Sequence, residues 1–92
     1  MSDTFVGTAE ITNRLGLHAR AAAKLVDLAN RYSALIEVSK DGQVADAKSI
    51  MGVLLLCGQR GAKLTVRATG QDAEAALKAI CALVSNGFGE AE

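Results

Sequence analysis

The sequence has no proline and no tryptophan, and its aromatic residues are two phenylalanines and one tyrosine. Proteins that grip single-stranded nucleic acid stack its bases on aromatic rings, so this scarcity speaks against that class. Charge speaks against it too. Ten basic and ten acidic residues cancel, leaving no whole-chain field to draw in a polyanion or an anionic membrane. No run approaches the ~20 apolar residues of a membrane-spanning helix. The first ten residues, MSDTFVGTAE, lack the basic patch and following apolar stretch of a secretory leader. The expectation is a cytoplasmic protein that neither binds nucleic acid nor inserts in a membrane.

Histidine and cysteine are nearly as scarce. Cys57 and Cys81 stand far apart with no companion at ligand spacing, and the single histidine, His18, cannot complete a tetrahedral site with them. No metal or other cofactor is expected, and both cysteines read as small buried hydrophobes or bystanders. Apolar residues, by contrast, make up 50% of the 92-residue chain. A chain of this length forms one domain, here 1–92, and buries roughly 60–70% of the surface that its unfolded form exposes.

Residues 4–11, TFVGTAEI, are β-branched and alternate as a first strand, with Ala9 and Ile11 inward. TNRLGLH interrupts the pattern. From Ala19 to about Tyr32, apolar Ala22, Leu25, Val26, Ala29 and Tyr32 recur at helical spacing, opposite Arg20, Lys24, Asp27 and Arg31. ALIEVSKDGQVADA reads as a β-hairpin: Ile36 and Val38 share one side, and Lys40-Asp41-Gly42 supplies a turn that tolerates positive φ. Ser49 is a favoured N-cap for a short second helix over IMGVLLLCG that ends near Gly58. KLTVRAT places Leu64, Val66 and Ala68 inward on a further strand. Gly70 and Gln71-Asp72 open a third helix with Ala73, Ala76, Leu77, Ile80, Leu83 and Val84 as its apolar stripe, and Asn86-Gly87 caps it. Residues 88–92 are expected to fray.

The order β-α-β-β-α-β-α, with right-handed crossovers, places the last strand between the first two. The predicted fold is an α/β (α+β) open-faced sandwich: a four-stranded antiparallel sheet of order 1-4-2-3 with three helices on one face. Such a fold does not define an activity. The site must do so.

His18 is the candidate. It occupies the expected N-cap of the first helix, where free backbone N–H groups point outward and the helix end carries partial positive charge. Arg20 stands on the first turn, able to meet an anion on the imidazole, and the alanines at 19 and 21–23 are small enough to leave that end uncovered. A positive helix end favours the neutral ring, whose nitrogen is a good nucleophile. A phosphoryl group attached there would be held by the same helix end and by Arg20, at ~0.3–1 kcal/mol for an exposed dipole contact and ~2 kcal/mol for a partly buried one. Such modest stabilisation suits a carrier that must release its load.

LGLHARAAAKLV and, further on, KSIMGVLLL resemble the HPr family, the histidine-containing phosphocarriers of the bacterial phosphoenolpyruvate-dependent phosphotransferase system. The resemblance covers nearly the whole chain and implies the HPr-like sandwich. It implies that His18 is phosphorylated on Nδ1 by enzyme I and passes the group to a histidine or cysteine of an EIIA-type acceptor. The protein is then a stoichiometric intermediate rather than an enzyme, acting as a monomer. Arg20 matches the family's active-site arginine. Where the family reads His-x-Arg-Pro, this chain has Ala21, which should loosen the first turn without abolishing it.

The resemblance also implies regulation at Ser49, which in many relatives is phosphorylated by an ATP-dependent HPr kinase/phosphorylase. It further implies a docking patch in which Ile50, Met51 and Leu54 are exposed beside His18 and Ala19, while Val53 and Leu56 belong to the core. Arg20, Lys24 and Lys48 would steer acidic partners. The alternative is a regulatory binding protein that controls a transcription factor or metabolic enzyme through its phosphorylation state. A ferredoxin-like small-ligand domain is a weaker rival, because no second polar cluster is present to form a pocket.

Overall fold

A computed structural model describes residues 3–90. The elements are β1 (Thr4–Glu10), α1 (Ala19–Ala29), β2 (Leu35–Lys40), β3 (Gln43–Asp46), α2 (Ile50–Leu55), β4 (Lys63–Thr69) and α3 (Ala73–Ser85), followed by a 3₁₀ turn over Gly87–Gly89. The sheet order is β1-β4-β2-β3, with every pairing antiparallel, as the alternation and the crossover rule predict. Ile11 prolongs the β1–β4 ladder by one step, donating from its N–H to Ala62 O and accepting from Gly61 N–H, both at 2.8 Å.

Period-two patterning decides which face of the sheet is covered. Leu64, Val66 and Ala68 of β4 and Ile36 and Val38 of β2 are buried under the helices together with Leu25, Val53 and Ile80. Each buried aliphatic side chain contributes ~1.5–3 kcal/mol. Gly7 lets α3 lie close to β1: a Cβ there would stand 3.3 Å from Leu77 Cδ1 and 3.6 Å from Cys81 Sγ. The hairpin turns at Asp41 (φ 52°) and Gly42 (φ 83°), the two positive values that a tight two-residue connection requires.

Several boundaries and environments differ from the sequence reading. Helix α1 stops at Ala29 rather than near Tyr32: the Asn30 side chain donates back to Val26 O at 2.9 Å, and Arg31 and Tyr32 N–H bond three residues back to Leu28 and Ala29 O, tightening the chain out of the helix. Ala21 and Ala22 are core residues with no exposure and Ala23 is half-buried, so of that alanine run Ala19 alone is exposed. Cys57 is exposed rather than buried, while Cys81 is half-buried, and burial pushes its thiol up.

The largest correction concerns the end of the chain. Phe88 is fully buried in the core, and Glu90 and the Phe88 carbonyl are hydrogen-bonded to the rest of the fold. Residues 88–90 are therefore packed on the fold, held jointly by the buried Phe88 side chain and by the Asn13 and Lys24 hydrogen bonds, which together oppose the cost of ordering the segment. Residues 91 and 92, also expected to fray, lie outside the described part.

Candidate functional site

The loop that delivers His18 is held by its neighbours. Asn13 is buried; its Nδ2 donates to Gly16 O at 2.8 Å, closing the turn across Arg14 and Leu15. Gly16 has φ +65°, and a Cβ on it would lie 2.6 Å from Gly58 O and 2.9 Å from Gln59 Cα. Only glycine permits both the left-handed conformation and that approach. Leu17 then buries its side chain and donates its N–H to Gly58 O at 2.8 Å. The loop that follows α2 thereby sets where α1 begins.

His18 is the N-cap of α1, in extended conformation (φ −80°, ψ 179°). Its carbonyl accepts the first helical bond, from Ala22 N–H at 2.8 Å. Its side chain makes no capping bond, so the N–H groups of the first turn remain directed outward. The ring is half-buried, with its Nε2 2.5 Å from Glu90 Oε2. Among the described residues Nδ1 has no hydrogen-bond partner.

Glu90 is gripped from both sides. Its other oxygen, Oε1, accepts from Asn13 Nδ2 at 2.9 Å. Lys24 Nζ, on the second turn of α1, donates to the Phe88 carbonyl at 2.8 Å and fixes the same segment. The Asn13 hydrogen bond, and after it the His18 hydrogen bond and the charge of Lys24, hold the Glu90 carboxyl below its ordinary 4.5 against an opposing desolvation.

His18 and Glu90 share an open cleft with Ala19, Arg14, Arg20 and Lys24. Among the described residues neither Arg14 nor Arg20 makes an ion pair. The cleft therefore holds one imidazole, one engaged carboxylate and three cationic side chains. Such a place can attract an anionic group and present a nucleophilic nitrogen to it.

The other predicted site residues are spread along the α1–α2 side. Ser49 caps α2, its Oγ accepting from Gly52 N–H at 3.3 Å. Ile50 and Met51 are exposed and Val53 and Leu56 buried, as the sequence reading has them. Leu54, expected to be exposed, is half-buried against the core, and its neighbour Leu55 is exposed instead at 60%. Leu15, in the loop before His18, adds a further exposed apolar side chain. Lys48 is not brought together with Arg20 and Lys24: its Nζ donates to Tyr32 O at 2.7 Å, at the far end of α1 from His18. Among the described residues no cluster of side chains is suited to a metal ion, and no helix is long and apolar enough to cross a membrane.

Asn13 and Glu90 are the site residues that sequence reasoning missed. The available signal was Phe88, one of only three aromatic residues, which anchors the segment carrying Glu90.

An anion-attracting cleft with one half-buried histidine at a helix N-terminus, on a β1-β4-β2-β3 sandwich, is the arrangement of a phosphohistidine carrier. A family model described as "PTS HPr component phosphorylation site" matches residues 6–86. The chain is 46% identical over 82 residues to a phosphocarrier protein HPr of Cupriavidus necator, spanning 89% of this chain and 92% of that one. It is 49% identical over 81 residues to a phosphocarrier protein NPr of Shewanella violacea, spanning 88% and 89%. The crystal structure of HPr-C-His from Thermoanaerobacter tengcongensis superposes with a TM-score of 0.91 at 42% identity, covering 96% of this chain and 99% of that one. The protein belongs to the HPr family of phosphotransferase-system phosphocarriers, whose members are carriers rather than enzymes in their own right.

Proposed function

We propose that this protein receives a phosphoryl group on Nδ1 of His18 from phosphorylated enzyme I and delivers it to a histidine or cysteine of an EIIA-type acceptor. The observation that supports this most directly is the half-buried imidazole at the start of α1, with Nδ1 unengaged among the described residues and Arg14, Arg20 and Lys24 around it. In the transfer, the Nδ1 lone pair forms the new N–P bond as the donor's P–N bond breaks and its electron pair returns to the donor imidazole. The first-turn N–H groups and Arg20 then face the phosphoryl oxygens. At ~0.3–2 kcal/mol for the helix end, this stabilisation leaves the group transferable.

In this reading donor and acceptor dock in turn on the same face. Ile50, Met51 and the half-buried Leu54 supply its apolar part; Ala19, Arg20 and Lys24 supply the part beside the histidine; Lys48 contributes at its far edge. The protein works as a cytoplasmic monomer. Ser49 is a regulatory phosphorylation site for an HPr kinase/phosphorylase: the hydroxyl is half-buried at a helix start, where the fold tolerates added negative charge while a docking partner meets about −1.5 to −2 new charges.

Incubation with phosphoenolpyruvate, Mg²⁺ and enzyme I tests the reading. The wild type should gain one acid-labile, base-stable phosphate and His18→Ala none. Labelling of the alanine variant would refute it, and partners that bind regardless of the state of His18 would favour a regulatory binding role instead.

A further inference from the structure

Histidine offers two nucleophilic nitrogens, and a carrier that must hand its load on in a fixed geometry has use for only one. The structure distinguishes them. Nε2 is 2.5 Å from Glu90 Oε2, while Nδ1 has no partner among the described residues. Glu90 is not a loose tail residue that happens to reach the ring. Its second oxygen is taken by Asn13 Nδ2, and the preceding turn is held by buried Phe88 and by Lys24.

The geometry points to Glu90 as a positioning residue that makes His18 regioselective. Its carboxylate accepts the Nε2–H, which occupies Nε2, fixes the proton there and leaves the lone pair on Nδ1. This deepens the proposal above and rests on it. The clasp requires an ionised carboxylate, since both of its oxygens must accept. Asn13 cannot turn over to donate less, because its Nδ2 also serves Gly16 O, and reversal would set its Oδ1 against that carbonyl. Asn13 thus acts on the ring through Glu90, and it ties the loop before His18 to the chain's last described turn.

The balance of the step is simple. Nδ1 contributes its lone pair to phosphorus, the donor's P–N bond breaks with its electron pair leaving on the donor nitrogen, and the proton stays on Nε2. The ring becomes a phosphorylated imidazolium, and its positive charge forms beside a carboxylate already in place. No base is needed, and Glu90 is not protonated.

A small P–N donor tests the ring without any docking partner. Wild type, His18→Ala, Glu90→Ala and Glu90→Gln are treated with potassium phosphoramidate, from which ammonia leaves, and the initial products are followed by ³¹P NMR. The wild type should give the Nδ1 isomer alone. Glu90→Ala frees Nε2 and should give an Nε2 isomer comparable in amount with the first. Glu90→Gln keeps the length of the side chain but can satisfy only one of the two donors, and should give a smaller Nε2 share. With phosphorylated enzyme I as donor, Glu90→Ala should also transfer about tenfold more slowly at saturation, with KM unchanged, as expected for lost orientation.

If both variants keep native circular dichroism and give only the Nδ1 isomer at the wild-type rate, the inference is wrong and Glu90 is a structural staple. An Nε2 product from the wild type would also overturn it. Labelling of His18→Ala to the wild-type extent would instead overturn the assignment of His18 itself, so the two failures are distinguishable.

Discussion

Phe88→Ala separates a packed 88–90 segment from a frayed one. Phe88 has no exposure and heads the fully buried side chains ranked by volume. Truncating a core phenylalanine to alanine costs about 3–5 kcal/mol. The residue has φ 58°, but alanine would carry the same backbone strain, so that contribution cancels. The segment lies beyond α3, outside the regular elements, and can detach rather than preserve a cavity, which places the expected loss at the lower end, about 3 kcal/mol. For a domain of this size that lowers the thermal midpoint by about 12–24 °C. The same substitution releases the turn that Lys24 grips through Phe88 O, and with it the Glu90 clasp on His18. The assay is thermal unfolding followed by circular dichroism, repeated in urea to check that the m-value is unchanged. A loss below about 0.5 kcal/mol, the range of ordinary surface substitutions, would refute the packing of residues 88–90 and the site built on it.

Gly16→Ala should cost about 1–2 kcal/mol for the left-handed conformation alone, and more because its Cβ would press on Gly58 O; urea unfolding and loss of the native His18 ring signals in NMR would report it. Ser49→Ala should cost about 1 kcal/mol as a lost cap, whereas Ser49→Asp should leave the midpoint nearly unchanged and weaken enzyme I docking, read by calorimetry of stability and by binding. Asp72 accepts from Ser33 and Ala34 N–H at 2.9 Å each; the Ser33 backbone bond, aided by the Ala34 bond and the Ser33 hydroxyl, lowers its carboxyl from 3.8 against desolvation. Because the folded value lies below the unfolded one, the stabilisation is full above the unfolded value and is lost as pH falls through the lowered folded one. Thermal midpoints taken from about pH 5 downward should therefore fall more steeply for wild type than for Asp72→Asn; parallel curves would contradict this.

The elements legible in the sequence are those whose cause is local. Alternation in KLTVRAT marked Leu64, Val66 and Ala68 as inward, Asp41-Gly42 marked the hairpin, and Ser49 marked the start of α2, because period, turn chemistry and capping are short-range properties. The histidine was legible for the same reason, being the sole imidazole beside a glycine-bearing turn and a helical pattern. The clasp was not. Glu90 meets His18 across 72 positions and Asn13 across 77, a pairing with no periodicity to announce it, in a polar tail whose composition resembles that of a frayed end. Leu54, expected exposed from the resemblance, is half-buried and Leu55 is exposed, because α2 has only six residues, too few turns for a run of leucines to reveal which side is covered. Lys48 lies near Ser49 in sequence, but its long side chain turns toward Tyr32 O, which charge counting does not foresee.

In the proposed cycle the imidazole of His18 carries a phosphoryl group between two proteins. A pulse of ³²P-labelled phosphoenolpyruvate with enzyme I, followed by removal of both and addition of unlabelled EIIA-type acceptor, tests it most directly. One label per chain is expected after the pulse, followed by its quantitative appearance on the acceptor after the chase, and neither step with His18→Ala. Label that stays on this protein, or that reaches the acceptor through the alanine variant, would contradict it.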